Sequence, residues 1–155
     1  MTTHICFETP NVVIRWEGDA GYLVIEYRHW FDGQQVRDAI MEFPKAVKEH
    51  HATRCLSDSR LRRVVTPDVQ ELYTHTGIPQ AAAFGLRRLA IVLPLSAVAQ
   101  TTLLPMVAKY RDYLEAEVFG GVEEAVAWLF SDAQEQAGAG PASAGAASLP
   151  GSATA

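Results

Sequence analysis

Apolar and polar residues alternate through the first part of the chain. The segment "NVVIRWE" places Val12, Ile14 and Trp16 on one face, and "YLVIEYRHW" repeats the pattern from Leu23 to Tyr27. The residues between them, "GDAG", favour a turn. Two alternating runs around such a turn predict a β-hairpin. A shorter run before it, "HICFE", predicts an additional edge strand.

The spacing of apolar residues then changes from every second residue to every third or fourth, which predicts a helix. Asp32 is a candidate N-cap, with Gln35 placed as in a capping box. One apolar stripe follows, with its members four, three and four positions apart: Val36, Ile40, Phe43 and Val47. Pro44 interrupts this stripe, so we expect it to kink the helix or divide it.

The segment "TRCLSDS" predicts a compact strand, and a second helix starts soon after it. Thr66 is expected to cap that helix, and Pro67 suits its first position because the missing N–H costs nothing there. Gly77 and Pro79 are expected to break the helix. Gly85 predicts the end of the short helical segment "QAAAFG".

The most apolar strand is "LRRLAIVLP", whose five consecutive nonpolar residues run from Leu89 to Leu93. Such a run predicts a central strand buried on both faces. Ser96 is expected to cap a helix reaching about Tyr113, followed by a strand, "EAEVF", and a last helix, "GGVEEAVAWLF". Strands alternating with helices require right-handed crossovers. The predicted fold is α/β: a mixed, mainly parallel sheet with an N-terminal antiparallel hairpin, flanked by about four helices.

Composition divides the 155 residues into a folded part and a tail. Hydrophobic residues make up 48% of the chain and charged residues 20%, an ordinary globular balance. From position 133 onward the sequence contains no aromatic residue, no Lys and no Arg. This segment has too little apolar area to offset the entropy of ordering it. We therefore predict one domain over residues 1–132 and a disordered tail rich in Ala, Gly, Ser and Pro over residues 133–155.

Charge and hydropathy narrow the classes of partner. The net charge of −5 and the pI near 5.5 argue against nucleic-acid binding, which favours a basic surface. The sequence contains no apolar run long enough to span a bilayer and no secretory signal at "MTTHICFETP", so membrane insertion is not expected. Cys6 and Cys55 lie in apolar runs and are expected to be reduced, buried thiols. These features together predict a cytoplasmic protein.

The arrangement resembles the STAS domain, in particular its SpoIIAA-like branch, which is also compared with the CRAL-TRIO lipid-carrier fold. The resemblance rests on "VVIRWEGDAGYLVIEY", "CLSDSRLRRVVTPDVQELY", "AAAFGLRRLAIVLPLSAVAQ" and "EVFGGVEEAVAWLF", which span nearly all of the folded part. It implies a non-enzymatic module that regulates by docking a protein partner or a second copy of itself as a homodimer. It also implies, as an alternative, a soluble carrier of a small apolar or lipid-like molecule.

Antagonists of anti-sigma factors in the wider STAS family carry a phosphorylatable Ser at the start of the second helix, in a pattern such as Asp-Ser-Ser-Gly. If Asp58 matches the aspartate that ends the third strand in that family, the pattern falls on Thr66, Pro67, Asp68 and Val69. Pro67 or Asp68 then replaces the Ser, and the Gly is absent. This departure argues against regulation by phosphorylation at the usual position.

The junction between the "TRCLSDS" strand and the second helix is the first candidate site. Its basic loop precedes a helix N-terminus, where free N–H groups attract anions. The candidate partner- or anion-binding residues are Asp58, Ser59, Arg60, Arg62, Arg63 and Thr66. The alternative is that these residues form a solvated basic loop and an ordinary helix start.

Aromatic residues suggest a second candidate site, since apolar pockets are commonly lined by rings. The candidate pocket residues are Trp16, Tyr27, Trp30, Phe43, Tyr73 and Phe84. The alternative is that these rings simply fill the core.

Catalysis, metal binding and cofactor binding have weaker support. Asp58-Ser59 could contain a nucleophile and make the chain a hydrolase, but no Gly-x-Ser-x-Gly elbow surrounds it. None of His29, His50, His51 and His75 lies in a recognisable triad setting. His50 and His51 are adjacent, so on a helix they point in different directions, and zinc needs three or four converging ligands. The sequence also lacks a nucleotide-binding motif. No catalytic residue, metal or cofactor is therefore expected.

Overall fold

The computed structural model describes residues 2–28 and 33–131. Six strands form one sheet in sequence order: β1 (Thr3–Glu8), β2 (Val12–Glu17), β3 (Tyr22–Tyr27), β4 (Arg54–Asp58), β5 (Arg88–Val92) and β6 (Glu115–Phe119). The first three strands pair antiparallel, and β3 to β6 pair parallel. The predicted mixed α/β sheet with an N-terminal hairpin is confirmed.

The helices are α1 (Gly33–His50), α2 (Pro67–Leu72), α3 (Ile78–Ala83), α4 (Ala97–Tyr110) and α5 (Val122–Leu129). Strands β3 to β6 advance in one direction across the sheet, so right-handed crossovers place α1 to α4 on one face. The main core lies there, and the whole predicted stripe of α1 is buried in it. Pro44 lies inside α1 without dividing it.

Strand β5 occupies the interior of the sheet, between β4 and β6, and all five of its residues are buried. One face packs on the main core, and the other packs under α5 through Ala90 and Val92. Ser96 caps α4 as predicted, since its hydroxyl accepts a hydrogen bond from the backbone N–H of Ala99. The central strand is therefore shielded on both faces.

Two arginines attach the end of α5 to the amino ends of β4 and β5. Nε of Arg54 donates to the carbonyl of Leu129 at 2.8 Å. Nη1 of Arg88 donates to the carbonyls of Trp128 and Ser131, both at 2.8 Å. Cations near a helix C-terminus also interact favourably with its dipole. These contacts hold α5 against the parallel half of the sheet.

The predicted break at Gly77 and Pro79 is wrong. A π-helical turn over Tyr73–Gly77 joins α2 to α3, so the chain stays helical from Pro67 to Ala83. Pro79 has no N–H to donate and would clash with the carbonyl four residues earlier in a regular α-helix. A wider π turn just before it accommodates the ring without ending the helix. Gly85 does follow the helical end, with φ +117°.

Some sequence expectations lie outside the described residues. These are the Asp32 cap, the position of Trp30, the environment of His29 and the tail over residues 133–155. Within residues 2–28 and 33–131, no helix combines the length and the apolar character needed to cross a membrane.

Candidate functional site

The loop between β4 and α2 lies at the edge of the sheet that the carboxyl ends of the central parallel strands β4 and β5 form. Asp58 ends β4, and its carboxylate receives two hydrogen bonds from the Arg60 guanidinium at 2.9 and 2.8 Å. Burial tends to raise the pKa of Asp58, but the hydrogen bonds and charge of Arg60 outweigh it and hold that pKa below its ordinary value. Asp58 and Arg60 therefore form a neutralised pair.

Hydrogen bonds fix both ends of this loop. The N–H of Ser59 donates to the carbonyl of Val92, and the N–H of Leu95 donates to the carbonyl of Arg60. At the other end, the hydroxyl of Thr102 accepts from the N–H of Val65 at 3.1 Å. The loop is thus attached to the β5–α4 connection and to α4, which gives its side chains defined positions.

Arg62 does not belong to the solvated basic loop that the alternative interpretation expected. Only 4% of the residue is exposed, and its guanidinium carbon lies 4.4 Å from the centre of the Tyr27 ring and 5.0 Å from that of Tyr73. Among the described residues, its Nη2 is buried and has no hydrogen-bond partner. A buried charge without a counter-ion is costly, which makes Arg62 the most unusual side chain at this edge.

Arg62 lines a cavity between the sheet and the helices. Three of the predicted pocket rings line it, those of Tyr27, Phe43 and Tyr73, together with the hydroxyl-bearing Ser57 and Tyr110. Its volume is about 20 Å³, room for about one water molecule or a similarly small ion. Ligand pockets for drug-sized molecules are several hundred Å³. The rings therefore act mainly as core, and the residual space is small and partly polar.

The other predicted pocket residues lie elsewhere. Trp16 stacks on His50 with ring centres 5.0 Å apart, and Phe84 is 41% exposed beneath the ammonium of Lys48. Trp30 falls outside the described residues. The aromatic set is therefore dispersed over at least three environments.

Exposed apolar side chains gather on the outer side of the same loop. Leu61 and Val64 are each 51% exposed and Leu95 is 75% exposed; together with Arg60 and Arg63 they line one shallow depression. We call the surface formed by Arg60, Leu61, Arg63, Val64 and Leu95 the junction surface. Exposed apolar residues that cluster within a polar rim commonly mark interaction sites.

The hydroxyls of the candidate site are engaged locally. Ser59 is fully buried, and its Oγ lies 3.2 Å from Oγ of Ser57 rather than beside a histidine. Thr66 occupies the N-cap position of α2, but its hydroxyl donates to the Asp68 carboxylate instead of capping the backbone. Asp68 also pairs with Arg37. The first turn of α2 therefore already carries a carboxylate, and the expected Thr66 side-chain cap is wrong.

A cluster that the sequence interpretation missed lies at the other end of the sheet, where β1 begins and α1 ends. His4, Cys6 and His50 bring one potential ligand atom each to within 4.8 Å of the others. Burial and then the negative charge of Glu49 raise the pKa of Cys6 to about 11. The spacing His4-x-Cys6 on a strand was visible in the sequence, because residues two apart share a face.

No protein-family model and no curated protein sequence matches this chain. The resemblance to STAS domains therefore stays a prediction.

Proposed function

We propose that this chain is a non-enzymatic, STAS-like regulatory module of the cytoplasm that docks a protein partner through the junction surface. The observation that carries the proposal is the exposure of Leu61, Val64 and Leu95 at the carboxyl edge of the central strands. The hydrogen bonds at both ends of the loop support it, because preorganised side chains lose less entropy on binding.

The charges around the surface indicate the chemistry of the partner. Asp58 neutralises Arg60, whereas no ion pair of Arg63 occurs among the described residues. The chain as a whole carries a net charge of −5, so this exposed cation is opposite in sign to the net charge of the protein. The surface thus suits an apolar patch that carries at least one carboxylate at its rim, which would meet Arg63.

Site-specific photo-crosslinking in the native host can test this docking. A photoreactive residue at position 95 should capture a defined protein, whereas the same residue at position 113 should not. Tyr113 is the matched control because it is also a large exposed side chain, 48% accessible, and lies outside the junction surface. A second copy of the chain as the captured protein would identify the surface as a homodimer interface, to be checked by sedimentation.

Affinity measurements with the captured protein then decide the proposal. Leu95→Asp and Arg63→Glu should each weaken binding about tenfold or more, the usual effect of losing an interface anchor. Tyr113→Asp should leave the affinity unchanged. The docking proposal is wrong if position 95 captures nothing beyond position 113, or if both junction variants bind as tightly as the native chain.

A second candidate function is control by a small ligand, and the buried, unpartnered Nη2 of Arg62 favours a small anion in that role. The cavity of about 20 Å³ suits a chloride-sized ion better than an apolar or lipid-like molecule. A carrier function would require the helices around Phe43 and Tyr73 to move apart. Native mass spectrometry of protein from its own host tests that alternative, since a carrier should retain an apolar mass.

A further inference from the structure

The cluster of His4, Cys6 and His50 joins two elements that are distant in sequence. His4 and Cys6 belong to the edge strand β1, and His50 is the last residue of α1. A β-bulge at Cys6 breaks the register with β2, since Ile5 pairs with Arg15 but Phe7 pairs with Ile14. The extra residue allows both Cys6 and Phe7 to pack towards the main core. Bulges of this kind often redirect side chains at functional sites.

The ring of His50 lies between two aromatic neighbours. It stacks on Trp16 with ring centres 5.0 Å apart and planes inclined by 13°, and the His4 ring is 5.3 Å away. The end of α1 is also held in place, because the N–H of Ala52 donates to the carbonyl of Val47 at 3.0 Å. The imidazole of His50 therefore has a defined position beside β1.

Two further observations point to a cation. Within the described chain, Nε2 of His50 is buried and has no hydrogen-bond partner, which is an unusual state for a buried polar atom. The thiol of Cys6 makes only a weak contact with the carbonyl of His4, at 3.9 Å. The cluster thus combines a buried imidazole nitrogen that has no partner among the described residues with a thiol that has only a weak one.

We propose that His4, Cys6 and His50 bind a thiophilic transition-metal ion of the Zn²⁺ class. Imidazole and thiolate are preferred Zn²⁺ ligands, and three of them leave a fourth position for water or an external ligand. Tetrahedral Zn²⁺ sites place ligand atoms roughly 3.3 to 3.7 Å apart, given the usual bond lengths. The present ligand atoms lie within 4.8 Å of one another, so side-chain movements of about 1 Å would bring them to this spacing. On binding, the Cys6 thiol gives its proton to solvent as the sulfur–metal bond forms.

Titration of the full chain, purified without a histidine tag, tests this site with Zn²⁺ and Co²⁺. We expect one equivalent of Zn²⁺ to bind and to raise the unfolding temperature. Co²⁺ should give the absorption bands of a tetrahedral site with cobalt–thiolate charge transfer. Cys6→Ser should remove the charge-transfer band, and both Cys6→Ser and His4→Gln should weaken Zn²⁺ binding at least tenfold.

His75→Gln is the matched control, because His75 is an exposed histidine on another helix and pairs with Glu71. It should leave affinity and spectrum unchanged. His4 is exposed, so its replacement tests the site even if Cys6→Ser reduces folding. The proposal is overturned if the native chain binds no stoichiometric Zn²⁺. It is equally overturned if His4→Gln and Cys6→Ser bind as tightly as His75→Gln, which would indicate nonspecific surface binding. These results do not depend on partner docking at the junction surface.

Discussion

Replacing Arg62 with Met tests whether the buried guanidinium binds a small anion. Met has a comparable length, fills the space between Tyr27 and Tyr73, and carries no charge. The native side chain has two favourable ring contacts but an Nη2 without a partner among the described residues. The substitution therefore removes both a stabilising and a destabilising contribution, and their balance sets the expected sign.

The magnitudes favour the apolar residue when no anion is bound. Each desolvated cation–π contact contributes about 2 kcal/mol or more. An unsatisfied buried donor costs about 1 to 3 kcal/mol, and desolvating the charge costs several kcal/mol more. We expect Arg62→Met to increase the free energy of unfolding by about 1 to 3 kcal/mol in a buffer of large organic ions. Replacements of buried ionic groups by apolar ones often have effects of this size.

Small anions should offset most of this stability difference between the native chain and Arg62→Met. A ligand at one hundred times its dissociation constant stabilises the folded state by about 2.7 kcal/mol. Chloride or formate should therefore raise the unfolding temperature of the native chain but not that of Arg62→Met. General salt effects act on both proteins and cancel in the comparison.

Urea and thermal unfolding, followed by circular dichroism across an anion series, provide the assay. Arg63→Met is the matched control, since it makes the same chemical change at the exposed neighbouring position. It should change stability little and keep the anion response. The reasoning fails if Arg62→Met is less stable than the native chain without anion, or if native and Arg62→Met proteins respond alike to every anion.

Three further predictions concern individual contacts. Asp58→Asn should lower the free energy of unfolding at pH 7 by about 1 kcal/mol. The pKa of Asp58 is lower in the folded chain than in the unfolded chain, where it is near 3.9. Asp58 therefore stabilises the fold above about pH 4, and this stabilisation is lost as the pH falls towards the folded-state pKa. The difference in stability between Asp58→Asn and the native chain should accordingly shrink in urea titrations below about pH 4. Arg88→Met should lower the free energy of unfolding by about 2 to 4 kcal/mol, because two carbonyls at the end of α5 lose a charged hydrogen-bond donor. A decrease below about 1 kcal/mol in urea unfolding would contradict the role of Arg88 in holding α5. His51→Gly should stabilise the chain by about 0.5 to 1 kcal/mol, because His51 has φ +52° after α1, where a Cβ strains the backbone. His51→Ala retains the Cβ and should give no such gain. Equal unfolding temperatures for the two variants would refute the proposed strain.

Local patterns were sufficient to predict most of the fold. Alternation around "GDAG" predicted the hairpin, the run from Leu89 to Leu93 predicted the central strand, and Ser96 predicted the start of α4. Each of these features depends on neighbours in sequence. The error at Gly77 and Pro79 has the same origin, because the π turn that accommodates Pro79 has no simple local signal in the sequence.

The candidate sites were less predictable because they depend on contacts between distant residues. Arg62 in a polar loop is expected to face water, and only the convergence of Tyr27 from β3 with Tyr73 from the helical layer buries it. His50 likewise meets His4 only after α1 returns along the sheet. Sequence spacing could indicate that His4 and Cys6 share a face, but not which helix end lies over them.

The arrangement of the β4–α2 loop connects the two functions proposed for this edge. Arg62 is buried and lines the cavity, while its neighbours Leu61 and Arg63 are exposed on the junction surface. The backbone hydrogen bonds of Ser59 and Val65 hold the loop in place at both ends. A displacement of the Arg62 backbone must therefore also displace Leu61 and Arg63. An anion that holds Arg62 in the core would therefore also hold the docking side chains in one arrangement. Coupling of this kind is reciprocal, so a partner that prefers this arrangement must strengthen anion binding by the same factor.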